Sequence, residues 1–378
     1  MSYSLTTIWH ERNRFLPAVL AVAFSAVLIA VQGGLVIGLL AMMSLPIDKS
    51  NATVWVGYPN VRSVDLGRPI PERWITRVLE QPEVERAELA MIGFSLWTRV
   101  ATAQNPATPE VCTIVGSSLE PDSLAAVEGL REVPGLLAKL HEPFTVAVDE
   151  SELGRLNIKG VGDDADILGV RVKVVGLVSG YKSLGGPYVF CSNPNARVLL
   201  KYFPGEATYV VAKCKSLEDS QRVVRRLEGY SQITGFTAED FSWRSRMHWL
   251  TTTKAGIAVG FTALLGLLVG AVVTSQTLYA ATAASLREYS TLRAMGIPRW
   301  RLQLSVMEQS FWVGLFGILV AAPITVLLVE GANYMGTQVL MHPVVIGVAI
   351  LITMAMALAS GLAALRSFQG VDPAHNIR

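Results

Sequence analysis

Four uncharged apolar runs, each long enough to cross a bilayer, constrain this chain more than any other feature of its sequence. The first extends from Phe15 to Met43 (FLPAVLAVAFSAVLIAVQGGLVIGLLAMM) without one charged residue. The others cover Ala255–Ala284, Ser310–Val329 and Pro343–Leu365, each bounded by charge or by a Pro/Gly break. About 20 apolar residues span a hydrocarbon core, and lipid offers the backbone no hydrogen-bonding partner, so such segments must be helical. The first run is too long for a signal-peptide core, and no small-x-small cleavage site follows it, which predicts a retained span. Overall, 51% of residues are hydrophobic and 16% charged, and the excess lies in these runs while the middle of the chain has ordinary soluble composition.

Orientation follows from the arginines. Arg12 and Arg14 precede the first span, Arg287, Arg293, Arg299 and Arg301 crowd the second connection, and Arg366 and Arg378 follow the fourth span. The third connection, Gly331–His342, has neither Lys nor Arg. The expected layout is a cytoplasmic amphipathic segment (1–14), a first span (15–43), a large extracytoplasmic domain (44–250) and a second span (251–284). A cytoplasmic loop (285–304), third span (305–330), short external loop (331–342), fourth span (343–365) and cytoplasmic tail (366–378) complete it. In the first segment, Ile8 and Trp9 suit the headgroup zone.

The domain between the first two spans reads as mixed α and β. Ala52–Tyr58 is a predicted strand, Pro71–Gln81 a helix with Pro in its first turn, and Val84–Arg99 a strand. The same order recurs as Thr208–Cys214, Leu217–Glu228 and Gln232–Thr237, which predicts two β–α–β halves pairing in space. Between them, Phe144–Val148, Val170–Val178 and Pro187–Cys191 read as strands of a β-rich insertion. Near its end, Phe241, Trp243 and Trp249 read as interface-anchoring aromatics of a stalk. The three cysteines, Cys112, Cys191 and Cys214, have no paired spacing, and buried free thiols are expected.

Catalytic signatures are missing from the sequence. No Lys follows a Gly, so no phosphate-binding G-x-x-x-x-G-K loop exists, and there is no G-x-S-x-G elbow. His10-Glu11 and His141-Glu142 begin like a zinc-protease motif, but Arg14 and Thr145 stand where its second His belongs. Asp163, Asp164 and Asp166 lack calcium-loop spacing and read as a solvated turn. With 32 basic and 30 acidic residues and no basic tract, nucleic acid is not an expected partner. Metal and cofactor sites are likewise not expected. Gln32, Gln276, Glu308, Gln309 and Glu330 are the strongly polar span residues, and no ionisable group sits at mid-depth as an ion-coupled carrier requires. Glu308 is expected to cap a helix or pair with an Arg. Small residues recur at Gly34-x-x-x-Gly38, Gly256-x-x-x-Gly260 and Gly266-x-x-x-Gly270, a spacing that suits close helix packing or a dimer contact.

The most informative segment is SLREYSTLRAMGIPRWRLQL (Ser285–Leu304). Leu286–Met295 has helical spacing, with Leu292 and Met295 on one side and Arg287, Glu288 and Arg293 interleaved; Gly296 and Pro298 then stop it. A short amphipathic helix protruding between two spans suits the transfer of force from a soluble partner.

Arg287-Glu288, followed by Leu292-Arg293-Ala294-Met295-Gly296 and Leu302, resembles the cytoplasmic signature of the MacB/FtsX-type ABC transporter permeases, the type VII superfamily. Glu308 and the tail Val371-Asp372-Pro373-Ala374 match that pattern too, as does the one-plus-three arrangement of spans. With no fused nucleotide-binding domain and a modest external domain, the chain is most similar to the DevC-type permeases of tripartite exporters. The resemblance implies a membrane α-helical fold of four transmembrane helices with an α+β extracytoplasmic domain of porter-like β–α–β halves and a β-rich insertion. It further implies an inner-membrane homodimer or paired permease that is not itself an enzyme. A separate ABC ATPase, carrying the ATP and magnesium, would bind at Arg287–Gly296 and drive mechanotransmission to a periplasmic adaptor and an outer-membrane channel. Other members of the family imply two alternatives: an FtsX-like transducer activating a cell-wall hydrolase, and LolC-like lipoprotein release.

Overall fold

The computed structural model describes residues 12–99, 109–284, 291, 295, 297–334 and 339–368. It divides into two compact units, Met1–Gly38 with Lys254–Arg378, and Leu39–Thr253. In chain order the main elements begin with α1 (Arg12–Met42), α2 (Leu45–Asp48), β1 (Val54–Gly57), β2 (Ile70–Pro71), α3 (Trp74–Leu79), β3 (Val84–Arg99) and β4 (Pro109–Ser117). Then come β5 (Thr145–Asp149), β6 (Asp164–Ile167), β7 (Val170–Val178), β8 (Tyr188–Ser192), α4 (Asn193–Leu199), β9 (Glu206–Ala207) and β10 (Tyr209–Cys214). The last are α5 (Leu217–Leu227), β11 (Thr234–Thr237), α6 (Ala238–Thr252), α7 (Lys254–Ala284), α8 (Arg299–Tyr334) and α9 (Pro343–Phe368).

Helices α1, α7, α8 and α9 are each long and apolar enough to cross a membrane. The third differs from expectation at both ends. It starts at Arg299, inside the segment read as loop, because Pro298 suits the position just ahead of a first helical turn. It also runs through Pro323 to Tyr334 without ending. A proline inside a membrane helix is tolerated where neighbouring groups satisfy the freed carbonyl.

In the other unit, β1-α3-β3 and β10-α5-β11 interleave into one antiparallel sheet, ordered β11-β1-β10-β3. This is the split β-α-β arrangement, and it pairs the two halves as their repeated order predicts. Val78 of α3 and Val223 and Leu227 of α5 cover one face by packing on Val54, Val56, Val210 and Ala212. Pro71 does not open a helix. It lies in β2, paired with Glu206 of β9, and the helix begins only at Trp74. The opposite face carries Trp55, Tyr209 and Phe236, and Phe241 of α6 stacks on Phe236 with ring centroids 4.8 Å apart. Phe241 is therefore a fully buried core residue of the domain, not an interface anchor, because its face of α6 turns onto this sheet.

Strand β3 continues past this sheet. Its second half pairs with β4, and the order β3-β4-β8-β5-β7-β6 closes when β6 pairs back onto β3 at Trp97, Thr98 and Arg99. The β-rich insertion is thus a closed six-stranded barrel, which leaves no unpaired edge. Its interior holds Trp97, Cys112, Ile114, Val146, Val148, Ile167, Val172, Val174 and Cys191. All three cysteines are buried and unpaired. Of the acidic cluster expected as a solvated turn, Asp164 and Asp166 instead lie in the closing strand β6, where Ala165 and Ile167 point into the core while Asp164 is exposed; Asp163 precedes the strand. Glu88 of β3 fixes the connection after β4, accepting hydrogen bonds from Ser118 Oγ (3.1 Å), Ser123 Oγ (2.6 Å) and the Ala125 N–H (2.5 Å).

Candidate functional site

Among the described span residues, the glycine pairs have different surroundings. Gly266 lies against α1, where a Cβ would stand 2.6 Å from Leu28 and 2.8 Å from the Gln32 amide oxygen. Gly270 sits one turn on, against Ser25, whose hydroxyl lies 2.9 Å from the Thr274 hydroxyl and donates to the Gly270 carbonyl (3.0 Å). This pair is therefore used inside the chain to bring α1 and α7 together. Gly34 meets Val339, and its carbonyl accepts from the Leu340 N–H (3.2 Å). Gly38 is buried, and Gly256 and Gly260 are half-exposed. Sequence reasoning missed Gly317, where a Cβ would meet Val22 at 2.6 Å, and Gly314, which packs on Met354 and Ala357. Neither belongs to a four-residue glycine repeat.

The coupling segment falls largely outside the described residues: Arg287, Glu288, Leu292, Arg293, Ala294 and Gly296 are not among them. The first eleven residues and 369–378 lie outside as well. Met295 is described and exposed, and its N–H donates to the Thr291 carbonyl at 3.1 Å, the spacing of one helical turn. Glu308 is half-buried within α8. Because α8 begins at Arg299, Glu308 is too far along the helix to cap its start.

A feature invisible in the sequence stands where the chain enters and leaves the folded domain. Ser44 precedes α2 and Asp48 ends it, one helical turn apart, and Ser44 Oγ donates to Asp48 Oδ2 (2.6 Å). Ser242 and Arg246, also one turn apart, share a face of α6. Ser242 Oγ donates to Asp48 Oδ1 (2.7 Å), Arg246 pairs with Asp48 Oδ2 (2.5 Å), and Arg246 Nε donates to Ser44 Oγ (2.8 Å). Four side chains thus bind the outgoing and returning segments to each other. Helix α6 holds its position because Thr237 caps it, accepting from the Asp240 N–H (3.1 Å).

Beside this clasp is a second polar node. Asp65 is buried and accepts from Ser63 Oγ and from Trp249 Nε1 (3.3 Å). The neighbouring Val64 donates its N–H to Ser245 Oγ (3.1 Å), and its carbonyl accepts from the Tyr209 hydroxyl (2.8 Å). Trp249 is therefore tied to the domain as well, while Trp243 is exposed. Burial pushes the Asp65 carboxyl above its ordinary range, and the bonds from Ser63 and Trp249 pull less strongly the other way. A carboxyl with a raised folded pKa stabilises the fold below its unfolded pKa, and that contribution is lost as pH rises through the folded value. The Asp65→Asn variant removes this dependence. In urea unfolding of the full chain from about pH 4 to about pH 8, the parent is expected to lose stability relative to Asp65→Asn as pH rises. Parallel pH profiles would refute the assignment.

Together these features define a class: a protein with four helices long and apolar enough to cross a membrane and a folded α+β domain between the first two. Residues 260–373 match the family model described as FtsX-like permease C-terminal, and residues 15–230 match MacB-like periplasmic core domain. The chain belongs to the MacB/FtsX-type ABC transporter permeases. Among solved structures it is similar to the periplasmic region of MacB from Actinobacillus actinomycetemcomitans, at 11% identity and TM-score 0.34, covering 55% of this chain and 97% of that one. It is also similar to the extracellular domain of the noncanonic ABC-type transporter YknZ from Gram-positive bacteria, at 10% identity and TM-score 0.33, covering 50% and 100%. A domain of a putative permease from Porphyromonas gingivalis has 14% identity and TM-score 0.29, covering 50% and 89%. No curated protein matches the chain.

Proposed function

We propose that this chain is the permease subunit of an ATP-driven exporter that passes the motion of a separate ATPase to its extracytoplasmic domain. Export runs through a tripartite assembly with a periplasmic adaptor and an outer-membrane channel. The permease works as a homodimer in the inner membrane, with both termini and the loop 285–304 cytoplasmic. It hydrolyses nothing itself and binds no cofactor; ATP and magnesium reside on the partner. Within the family, the reading places it with the DevC-type permeases of tripartite exporters.

The observation that carries this reading is the Ser44–Asp48–Ser242–Arg246 clasp. The segment that follows the first span and the segment that precedes the second are held to each other by this polar network, with the Asp65–Trp249 node beside it, so the two are not free to move separately. A charge-assisted network resists separation better than neutral contacts do. On the other side, the arginine-rich segment Arg287–Gly296 supplies what an ATPase would grip.

The test is co-purification of the full chain with its ATPase from native membranes, comparing the parent with Arg287→Ala/Glu288→Ala/Arg293→Ala. Loss of three charged side chains from one contact is expected to weaken association at least about tenfold and to lower coupled ATPase activity in step. Unchanged association and activity would remove the loop from the mechanism. Recovery of a cell-wall hydrolase instead of an adaptor would replace export by FtsX-like signalling, and recovery of lipoproteins would replace it by LolC-like release.

A further inference from the structure

We propose that the cleft between the α+β lobe and the barrel binds a small amphipathic anion: an apolar ring system carrying a carboxylate, sulfonate or phosphate. The cleft has a volume of about 720 Å³, within the range of small-molecule sites. One wall is the loop after β1, carrying Tyr58, Arg62 and Arg68; the other is Phe94 of β3 with Leu200 and Tyr202 beyond α4. Tyr58 (40%) and Phe94 (37%) leave much of their ring surface uncovered, and they converge on one concavity instead of being scattered singly over the surface.

Charge selects the ligand. Neither Arg62 nor Arg68 has a carboxylate within ion-pair distance among the described residues, whereas Arg86, Arg155, Arg197 and Arg246 each have one. Arg68 lies over the Tyr58 ring, 5.5 Å from its centroid, a placement that orients the guanidinium without using its hydrogen-bond fork. Two such forks at the rim of an aromatic slot suit a planar apolar body with an anionic end. Asp65 lines the same cleft but does not oppose this. Ser63 and Trp249 hold its carboxyl, and burial disfavours its charged form. The backbone keeps the slot open at two points. Asn60 turns the loop through a left-handed φ of 61°, and at Gly93 a Cβ would stand 3.1 Å from Leu200, so a larger side chain would fill the slot.

The inference does not rest on the export reading, because binding is measured with no ATPase present. Naphthalene-2-sulfonate is titrated calorimetrically into the full chain in lipid nanodiscs, with empty discs as blank. Saturable binding of one sulfonate per chain is expected, with 2-naphthyltrimethylammonium at least about tenfold weaker. Arg62→Gln/Arg68→Gln should also weaken the sulfonate at least about tenfold, the scale of losing a charge-assisted contact. Both arginines are exposed, so this variant keeps the fold, which circular dichroism verifies. Binding no different from empty discs, equal affinity for the cation, or an unaffected double variant would each overturn the proposal.

Discussion

Trp97→Ala is expected to lower the stability of the extracytoplasmic domain by about 3–5 kcal/mol, the usual cost of deleting a buried tryptophan. Trp97 is only 1% exposed and fills the barrel beside Cys112 and Ile167. It also sits at the seam: its register partner Ile167 belongs to the strand that closes the barrel. Its indole N–H donates to the Leu156 carbonyl at 3.1 Å, so truncation leaves both a cavity and an unpaired acceptor. The barrel carries its own reporters. Cys112 and Cys191 are buried in its interior, and burial pushes the Cys112 thiol up to about 12, so both are expected to react slowly with thiol reagents. If labelling proceeds through opening of the barrel, a loss of 3–5 kcal/mol accelerates it on the order of a hundredfold or more. Trp97→Phe keeps most of the ring and loses the hydrogen bond, a change of about 1 kcal/mol. Labelling of Trp97→Ala at the parental rate would mean that this side chain does not hold the barrel shut.

Gly317→Leu should destabilise the membrane unit by about 1–3 kcal/mol, the cost of overpacking a close contact. The atoms in the way are Val22 Cγ1 at 2.6 Å and the backbone nitrogen of Ala23 at 3.2 Å, and backbone cannot yield as a flexible side-chain tip can. The same exchange at Gly331, also in α8, meets nothing within 4 Å. There the better helix propensity of leucine, about 0.5–0.8 kcal/mol over glycine, should leave stability unchanged or raised. Opposite signs for two Gly→Leu changes in one helix separate packing from propensity. Thermal inactivation of the detergent-purified chain reads both, and a Gly317→Leu protein as heat-resistant as the parent would contradict the packing.

The spans were legible because lipid imposes one solution on an uncharged apolar run, and that requirement is local. The two β–α–β halves were legible because strand and helix periods show in short windows and the order repeats. Strand β6 was missed because two of its four residues are aspartates and its apolar partners, Ala165 and Ile167, make too short an alternation to stand out. Phe241 was misplaced because an aromatic near a span reads the same whether it faces lipid headgroups or a sheet. In the candidate site, Asp48 and Arg246 were not legible, being 198 residues apart, and the segment Arg287–Gly296 lies largely outside the described residues.

By itself, then, the sequence determined four membrane crossings, a mixed domain between the first two, and the absence of nucleotide-binding and zinc-protease motifs. Those properties depend on residue type and on spacing within a few turns. Tertiary structure alone decided the closure of the barrel, the clasp between α2 and α6, the cleft at Arg62 and Arg68, and which glycines touch a neighbouring helix. Each of these depends on atoms brought within a few ångströms from distant parts of the chain, and no local pattern encodes such proximity.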